Sequence, residues 1–122
     1  MAPNVELHIR DGDRRAEVAV GPGKVALLEK IAETGSITLA AKKLGMSYRR
    51  AWLLVEETNR CLVGPAVITT SGGIHGGGTA LTPLGLEFVR RYRAIEKQAK
   101  IAVSRNLGSI LNSVAPQKAA RK

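Results

Sequence analysis

The chain has few cysteines, few histidines and no long apolar run, and each shortage excludes a class of protein. Cys61 is the single cysteine, so no internal disulfide can form. His8, His75 and Cys61 are too few and too isolated to supply the three or four ligands of a zinc site, and we expect no metal and no cofactor. No stretch approaches the roughly 20 apolar residues that a membrane-spanning helix needs, which excludes an integral membrane role.

Acidic residues are also scarce. Ten Asp and Glu stand against 19 Lys and Arg, which gives a formal net charge of +9 at pH 7. Neither a Ser-His-Asp set nor a pair of carboxylates is evident, so we expect a protein that is not an enzyme. The basic excess favours a polyanionic partner, nucleic acid before an anionic membrane surface. Without a signal-peptide pattern at the start, the expected location is the cytoplasm.

Composition predicts one folded domain. Hydrophobic residues make up 44% of the 122 residues and charged residues 24%, which is typical of a globular protein. The length suits a single domain with a modest core. We expect this domain to comprise residues 1–111, and residues 112–122, which hold three basic residues and no acid, to be a flexible basic tail.

The N-terminal part has the pattern of a β-hairpin. Apolar and polar residues alternate over residues 5–9 and again over residues 14–20. Asp11-Gly12-Asp13 lies between these runs, and an Asp-Gly pair tolerates the positive φ of a tight turn. The sequence therefore predicts two strands with a turn at residues 11–13.

Three helices are predicted next, over residues 23–33, 37–44 and 47 to about 62. Apolar residues recur there at spacings of three and four, and Ser36 and Ser47 precede the second and third helices as N-caps. The residues expected to face the core are Val25, Leu28, Ile31 and Ala32 in the first helix, Ile37, Ala40, Ala41 and Leu44 in the second, and Ala51, Val55 and Thr58 in the third.

The C-terminal half predicts a hairpin and a long helix. Residues 66–70 and 79–82 are β-prone and flank the glycine-rich residues 71–78, which predicts a hairpin with a flexible tip, the wing. Thr82-Pro83 starts a helix to about residue 105 or beyond, which we expect Gly108 to interrupt. One apolar seam at spacings of four and three predicts packing against a second copy through Leu84, Phe88, Tyr92, Ile95, Ala99 and Ala102.

The most specific local pattern lies in residues 40–51, Ala-Ala-Lys-Lys-Leu-Gly-Met-Ser-Tyr-Arg-Arg-Ala. Small residues let two helices cross closely, the glycine makes the turn, and two arginines fall in the first turn of the second helix. This predicts a helix-turn-helix whose second helix enters the major groove of DNA.

The predicted fold class is α+β, mostly α: a winged helix-turn-helix with an N-terminal β-hairpin and a long C-terminal dimerisation helix. The predicted DNA-contacting residues are Ser36, Lys42, Lys43, Ser47, Tyr48, Arg49, Arg50 and His75.

Several features have a second interpretation. The pair of helices could be an ordinary one with solvated cations, although turn chemistry, helix lengths and net charge favour DNA binding. The glycine cluster lacks the Lys-Ser/Thr ending of a phosphate-binding loop, so a flexible wing is the better account. Trp52 could stack on a base but is expected in the core, and Cys61 is expected to be a small core residue. The arginines at 90, 91 and 93 form a solvated face or reach the DNA backbone.

A set of short segments between residues 27 and 86 forms a specific pattern: residues 32–37, 46–52, Asn59 with Arg60, the glycines at 72–73 and 76–78, and residues 81–85. In these segments residues 27–86 resemble the N-terminal DNA-binding domain of ModE, the bacterial molybdate-responsive regulator, which is related to LysR-type winged helices. The resemblance implies a homodimer that binds double-stranded DNA, with the residues from Ser47 to Arg50 at the DNA.

Two departures from that family bear on function. Full-length ModE proteins carry C-terminal molybdate-binding domains, and this sequence ends where they would begin, so we expect molybdate binding to be absent. Ile74-His75 occupies the wing tip where a lysine or arginine is expected. The expected function is a homodimeric transcriptional regulator. The alternatives are a protein-interaction module that has lost DNA recognition, which the outward Leu53 would suit, and a small enzyme for an anionic substrate.

Overall fold

The computed structural model of the chain describes residues 9–11, 18–70 and 78–113. Within these residues the fold is mostly helical with two small antiparallel sheets, as the predicted α+β class requires. The elements are β1 (Ile9–Asp11), β2 (Val18–Val20), α1 (Pro22–Thr34), α2 (Ile37–Leu44), α3 (Tyr48–Cys61), β3 (Val67–Thr70), β4 (Gly78–Leu81) and α4 (Pro83–Leu111).

The N-terminal strands pair as predicted, but the turn does not begin where the sequence indicated. β1 and β2 are antiparallel, with Ile9 opposite Val20 and Asp11 opposite Val18. Asp11 is therefore a ladder residue, and the placement of the turn at residues 11–13 is wrong at its first position. The rest of that turn and the predicted strand residues 5–8 lie outside the described residues.

Local chemistry sets the ends of the first three helices. α1 stops at Gly35, which has a φ of 71° and donates its N–H to Ile31 O at 2.7 Å. Ser36 Oγ accepts the N–H of Leu39 at 3.1 Å, and Ser47 Oγ accepts that of Arg50 at 3.1 Å. Each hydroxyl thus satisfies an N–H that the helix itself leaves without a partner. The predicted bounds of α2 agree with the structure, and those of α1 and α3 agree to within one residue.

The core lies where α1, α2 and α3 meet the start of β3. α1 is buried on more than one side because Leu27 as well as Leu28 is inside, whereas Ala32 is exposed and its predicted core position is wrong. Leu44 and Cys61 are only half-buried. The buried cluster comprises Leu27, Leu28, Ile31, Ile37, Ala40, Ala41, Ala51, Val55, Ala66 and Val67.

The β3–β4 hairpin is bonded to the corner between α1 and α2. Val67 pairs with Leu81 and Thr70 with Gly78. The N–H of Thr79 donates to Gly35 O at 3.0 Å, which joins β4 to the corner between α1 and α2. Only Val67 of β3 is buried, so the hairpin leaves the core after its first residue pair. His75 and the rest of the predicted wing tip lie outside the described residues.

Asn59 on α3 fastens the start of β3. Its Oδ1 accepts the N–H groups of Ala66 at 2.8 Å and Val67 at 3.0 Å, and its Nδ2 donates to Val67 O at 3.1 Å. The side-chain amide thereby takes the place of a neighbouring strand. α3 and the hairpin are joined by side-chain chemistry rather than by apolar packing alone.

The start of α4 is pressed against the same strand. Thr82 Oγ1 donates to Pro65 O at 2.7 Å and accepts the N–H of Gly85 at 3.0 Å, which caps the helix. A Cβ atom placed on Gly85 would lie 2.3 Å from Ala66 O, closer than atoms can approach. Glycine at position 85 is therefore a condition of this close contact.

α4 is one helix of 29 residues, about 43 Å long. It passes through Gly108 without a break, so the predicted interruption is wrong. A glycine costs a helix interior only about 1 kcal/mol, too little to end it by itself. Tyr92 is buried, with 2% of its surface exposed, and beyond it most side chains of α4 are exposed.

Candidate nucleic-acid interface

α2 and α3 meet through a tight turn that sets the direction of α3. Gly45 has a φ of 70°, a left-handed conformation that favours glycine. The N–H of Met46 donates to Ala41 O at 3.0 Å, and Ser47 then caps α3. Ala40 of α2 and Ala51 of α3 are fully buried, and their small side chains leave room for the two helices to approach each other. The first turn of α3 therefore projects from the protein at a fixed angle.

The predicted contact residues of this turn lie at the surface. Ser47, Tyr48, Arg49 and Arg50 are all exposed. The Ser47 hydroxyl oxygen already accepts the N–H of Arg50, so its own O–H remains to donate.

Three of these residues share a groove with the next turns of α3. The groove has a volume of about 440 Å³, and Leu53 in it is 48% exposed. Arg60 and Glu57 belong to the same surface and were not among the predicted site residues. Arg50, Leu53, Glu57 and Arg60 follow one another at spacings of three, four and three, and this was the signal in the sequence that would have placed them on one face. The groove is lined by Ser47, Arg49, Arg50, Leu53, Leu54, Glu57 and Arg60.

Glu57 is the one acid of this groove, and α1 neutralises it. Lys24 Nζ lies 2.7 Å from Glu57 Oε1. This hydrogen bond and the charge of Lys24 lower the pKa of Glu57 below its ordinary value, so the carboxylate is ionised and paired at neutral pH. Its repulsion of an approaching polyanion is correspondingly reduced.

A smaller cleft of about 250 Å³ separates α2 from the β3–β4 hairpin. Ser36 and Tyr48 both line it, together with hydroxyls of the hairpin. The predicted residues are thus divided: Ser36 and Tyr48 border this cleft, while Ser47, Arg49 and Arg50 border the groove. Lys42 and Lys43 are exposed in the last turn of α2.

Charges in the described part of the chain are unevenly paired. Glu29, Glu33, Glu57, Glu87 and Glu96 each lie within 3.0 Å of a lysine or arginine. Within residues 18–70 and 78–113 no ion pair engages the exposed cations of α2 and α3, which are Lys42, Lys43, Arg49, Arg50 and Arg60. The same holds for Lys97, Lys100 and Arg105 on α4. The α2–α3 surface therefore carries a net positive charge.

The arginines of α4 that were weighed as backbone contacts are engaged locally. Arg90 and Arg91 both bind Glu87, which lowers the pKa of that carboxyl to about 2. Arg93 binds Glu29 of α1 at 2.6 Å and Glu96 at 2.8 Å, and these carboxylates raise its pKa above the ordinary value. Arg93 therefore ties α4 to α1 and is not free to reach another partner.

Two apolar expectations change with the structure. Trp52 is exposed, so its predicted core position is wrong: it lies about 100° around the helix from Ala51, at the edge of the buried stripe. On α4 the predicted seam divides. Tyr92 is buried and Leu84 and Phe88 are half-buried, with Phe88 packed against the core, whereas Ile95 and Ala102 are exposed and Ala99 is half-buried.

The described residues contain no group of three or more potential metal ligands. Among them, no helix is both long enough and apolar enough to span a membrane.

Comparison with known proteins identifies relatives of this chain. No family model matches it. It is 44% identical over 82 residues to the molybdenum-pterin-binding protein MopB of Rhodobacter capsulatus, a match that covers 67% of this chain and 30% of MopB. It is 38% identical over 102 residues to the molybdenum transport protein ModE of Azotobacter vinelandii, covering 84% of this chain and 37% of that protein. Over the matched residues the chain is ModE-like.

The ModE-like part spans only about a third of its relatives' length. A third relative, the DNA-binding transcriptional dual regulator ModE of Escherichia coli (strain K12), is 38% identical over 71 residues, which cover 58% of this chain and 27% of that protein. The names of these relatives thus describe proteins about three times as long as the region that they share with this chain.

Many residues behind the ModE-like resemblance build the fold rather than the surface. Gly35 ends α1, Asn59 holds β3, and Thr82 and Gly85 dock α4. Arg49 and the residues around it belong instead to the exposed groove. The resemblance therefore covers both the scaffold and the surface that it presents.

Proposed function

We propose that this protein is a transcriptional regulator that binds specific double-stranded DNA sequences as a homodimer, through a winged helix-turn-helix domain. The observation that carries the proposal is the exposed face of α3, where arginines without ion pairs in the described structure lie beside a tight helix-helix turn. Binding of this kind places the N-terminal residues of the second helix against base edges in the major groove.

Arg49 and Arg50 contact different groups of the DNA. They are adjacent on α3, so their side chains leave the helix about 100° apart and meet different groups. One reads a base edge, most readily a guanine through two N–H donors, and the other binds phosphate.

The second cleft suits the DNA backbone. It opens at the N-terminus of α2, where free N–H groups and the helix dipole favour an anion. Tyr48 and the hydroxyls of the hairpin border it, so a phosphate there would have donors on three sides. Lys42 and Lys43 add positive charge at the opposite end of α2. In this arrangement the β3–β4 hairpin is the wing, and His75, which follows β3 in the sequence, lies outside the described residues.

Support for the homodimer comes from α4. Its first half uses Phe88 and Tyr92 to pack on the domain, and the same face continues as Ile95, Ala99 and Ala102 without a partner in the protomer. A second copy that packs along this face would cover these residues and give the molecule two α3 helices related by a two-fold axis.

The test begins with selection of bound duplexes from a random pool, followed by affinity measurements on the selected sequence. Alanine in place of the base-reading arginine should cost about 1–3 kcal/mol and relax the preference at one position. Alanine in place of the phosphate-binding arginine should weaken all sequences alike and reduce the salt slope by about one log–log unit.

Arg90→Ala is the matched control, because it removes an exposed arginine that Glu87 already engages on α4. It should leave affinity near that of the wild type. Wild-type affinity in Arg49→Ala, Arg50→Ala and the double variant would contradict the proposal that α3 reads DNA.

We also propose that the protein acts by binding and not by catalysis. A second proposal is that this 122-residue chain does not bind molybdate tightly. The matched region is about a third of each relative, and the molybdenum in their names describes the whole proteins. Calorimetric titration of the chain with molybdate tests this second proposal. Heat that shows tight binding with a defined stoichiometry would contradict it.

A further inference from the structure

The outer face of α3 has an apolar residue at its centre. Ala51, Val55 and Thr58 define the buried stripe of the helix. At about 100° per residue, Leu53 lies roughly opposite this stripe. It is 48% exposed in the part of the chain that the structure describes. Leu53 therefore points away from the domain.

Its neighbours on this face are charged. On the same helical geometry Arg60 lies within about 20° of Leu53, and Arg49 and Arg50 flank it at about 40° and 60° on opposite sides. All four residues line the 440 Å³ groove. An isolated surface leucine needs no partner, but this one occupies the middle of the surface that the arginines would bring to DNA.

We infer that Leu53 is a specificity-determining residue that contacts the C5-methyl group of a thymine in the major groove. The inference rests on the proposed function of α3. Once Arg49 and Arg50 are seated on the DNA, Leu53 lies about one helical turn farther along, roughly 5 Å, and faces the next base pairs. Among the groups that base edges present in the major groove, the thymine methyl is the apolar one. A desolvated polar edge in the same place would lose hydrogen bonds that leucine cannot replace.

Replacement of thymine by deoxyuridine tests this contact, since it removes only the methyl group. Each thymine of the duplex selected by the wild-type protein is replaced singly, and affinity is measured. One position in each half-site should weaken binding about fourfold, the effect expected when one buried methyl group is lost. Leu53→Ala should bind the thymine duplex about as weakly and should no longer distinguish it from the deoxyuridine duplex.

Two variants control the experiment. Leu53→Met keeps an apolar side chain of similar volume and should preserve the discrimination. Leu86→Ala removes an equally exposed leucine from α4, where it is 54% exposed, and should behave as the wild type.

The outcomes separate the two proposals. If a sequence is selected but no deoxyuridine substitution matters, or if Leu53→Ala still discriminates, the role of Leu53 is overturned while DNA reading stands. If no sequence is enriched from the pool, the proposed function itself fails and the role of Leu53 fails with it.

Discussion

A single side chain, Asn59, joins the helix that carries the proposed DNA surface to the hairpin beside it. Its side chain accepts the N–H groups of Ala66 and Val67 and donates to the carbonyl of Val67, at the start of β3. Ala66 and Val67 are both buried. Water therefore has little access to replace a lost partner. The junction depends on one residue whose hydrogen-bonding capacity is well used.

We expect Asn59→Ala to lower the free energy of unfolding by about 1–3 kcal/mol, because it leaves buried N–H groups without acceptors. Urea denaturation followed by circular dichroism measures the change. Asn106→Ala is the control: Asn106 is exposed on α4 and donates to Ala102 O at 2.8 Å, where water can take its place. Equal losses in the two variants would show that the β3 junction has no special weight.

The sequence predicts individual residues well where their partners are near in the chain. The Ser36, Ser47 and Thr82 caps bind an N–H three residues ahead, so a local pattern is enough to find them. The partners of Asn59 are seven and eight residues away, across the end of α3, and no periodicity reveals them. The prediction that Trp52 is in the core was wrong for a related reason. The apolar spacing locates the buried stripe of α3 but does not show how wide that stripe is around the helix.

At the scale of elements, the Lys24–Glu57 ion pair joins α1 to α3. Glu57 is half exposed, so we expect a contribution below about 1 kcal/mol. Because the pKa of Glu57 is lowered in the folded protein, this contribution is present above the ordinary glutamate value of 4.5 and is lost as the pH falls through the lowered pKa. Glu57→Gln should therefore be less stable than the wild type at pH 7 and should approach it in acid.

Urea denaturation at pH 7 and at steps below pH 4.5 gives that comparison. Glu56→Gln is the control, since Glu56 is the adjacent acid of α3 and has no ion pair in the described part of the chain. A stability difference between Glu57→Gln and the wild type that stays constant across the acid range would refute the role assigned to the pair.

The elements themselves were largely predictable, and the exceptions have physical causes. Helix bounds follow from caps and stop signals within a few residues. The N-terminal turn was expected to include Asp11, but Asp11 still pairs with Val18 in the strand ladder. An Asp-Gly pair alone does not determine where the strand pairing ends. Gly108 was given too much weight: one glycine costs a helix interior only about 1 kcal/mol, too little to end a helix of 29 residues.

For the whole molecule, the proposed dimer can be tested with two isoleucines of the same helix. Ile95 and Ile101 are 44% and 43% exposed, but Ile95 continues the face of Phe88 and Tyr92, whereas Ile101 lies more than 100° away from it. We expect Ile95→Asp to yield monomers with weak DNA binding, and Ile101→Asp to remain dimeric. Sedimentation velocity at micromolar concentration measures both, and a monomeric wild type would contradict the dimer.

The candidate site was predicted in part, and the division follows the distance over which its members are assembled. Arg49 and Arg50 stand beside the turn signal at Gly45 and Ser47, so the sequence shows them directly. Leu53 was expected to point outward, and Arg60, seven residues after it, belongs to the same surface because α1 and α2 cover the opposite side of α3. The split of the α4 seam could not be foreseen, since the heptad-like spacing does not say where contact with the protomer ends.

The close approach of Gly85 to Ala66 O has a consequence for the genetics of this protein. Every missense mutation in the codon for residue 85 adds at least a Cβ atom, and no rotamer can move that atom away from the strand. A random mutant library selected for the folded protein should thus keep glycine at this codon, while the codon for Gly108, whose Cβ direction is open, should accept many replacements. Second-site revertants of a position-85 mutant would be expected in the strand segment around residue 66, where a shift of the backbone restores the space.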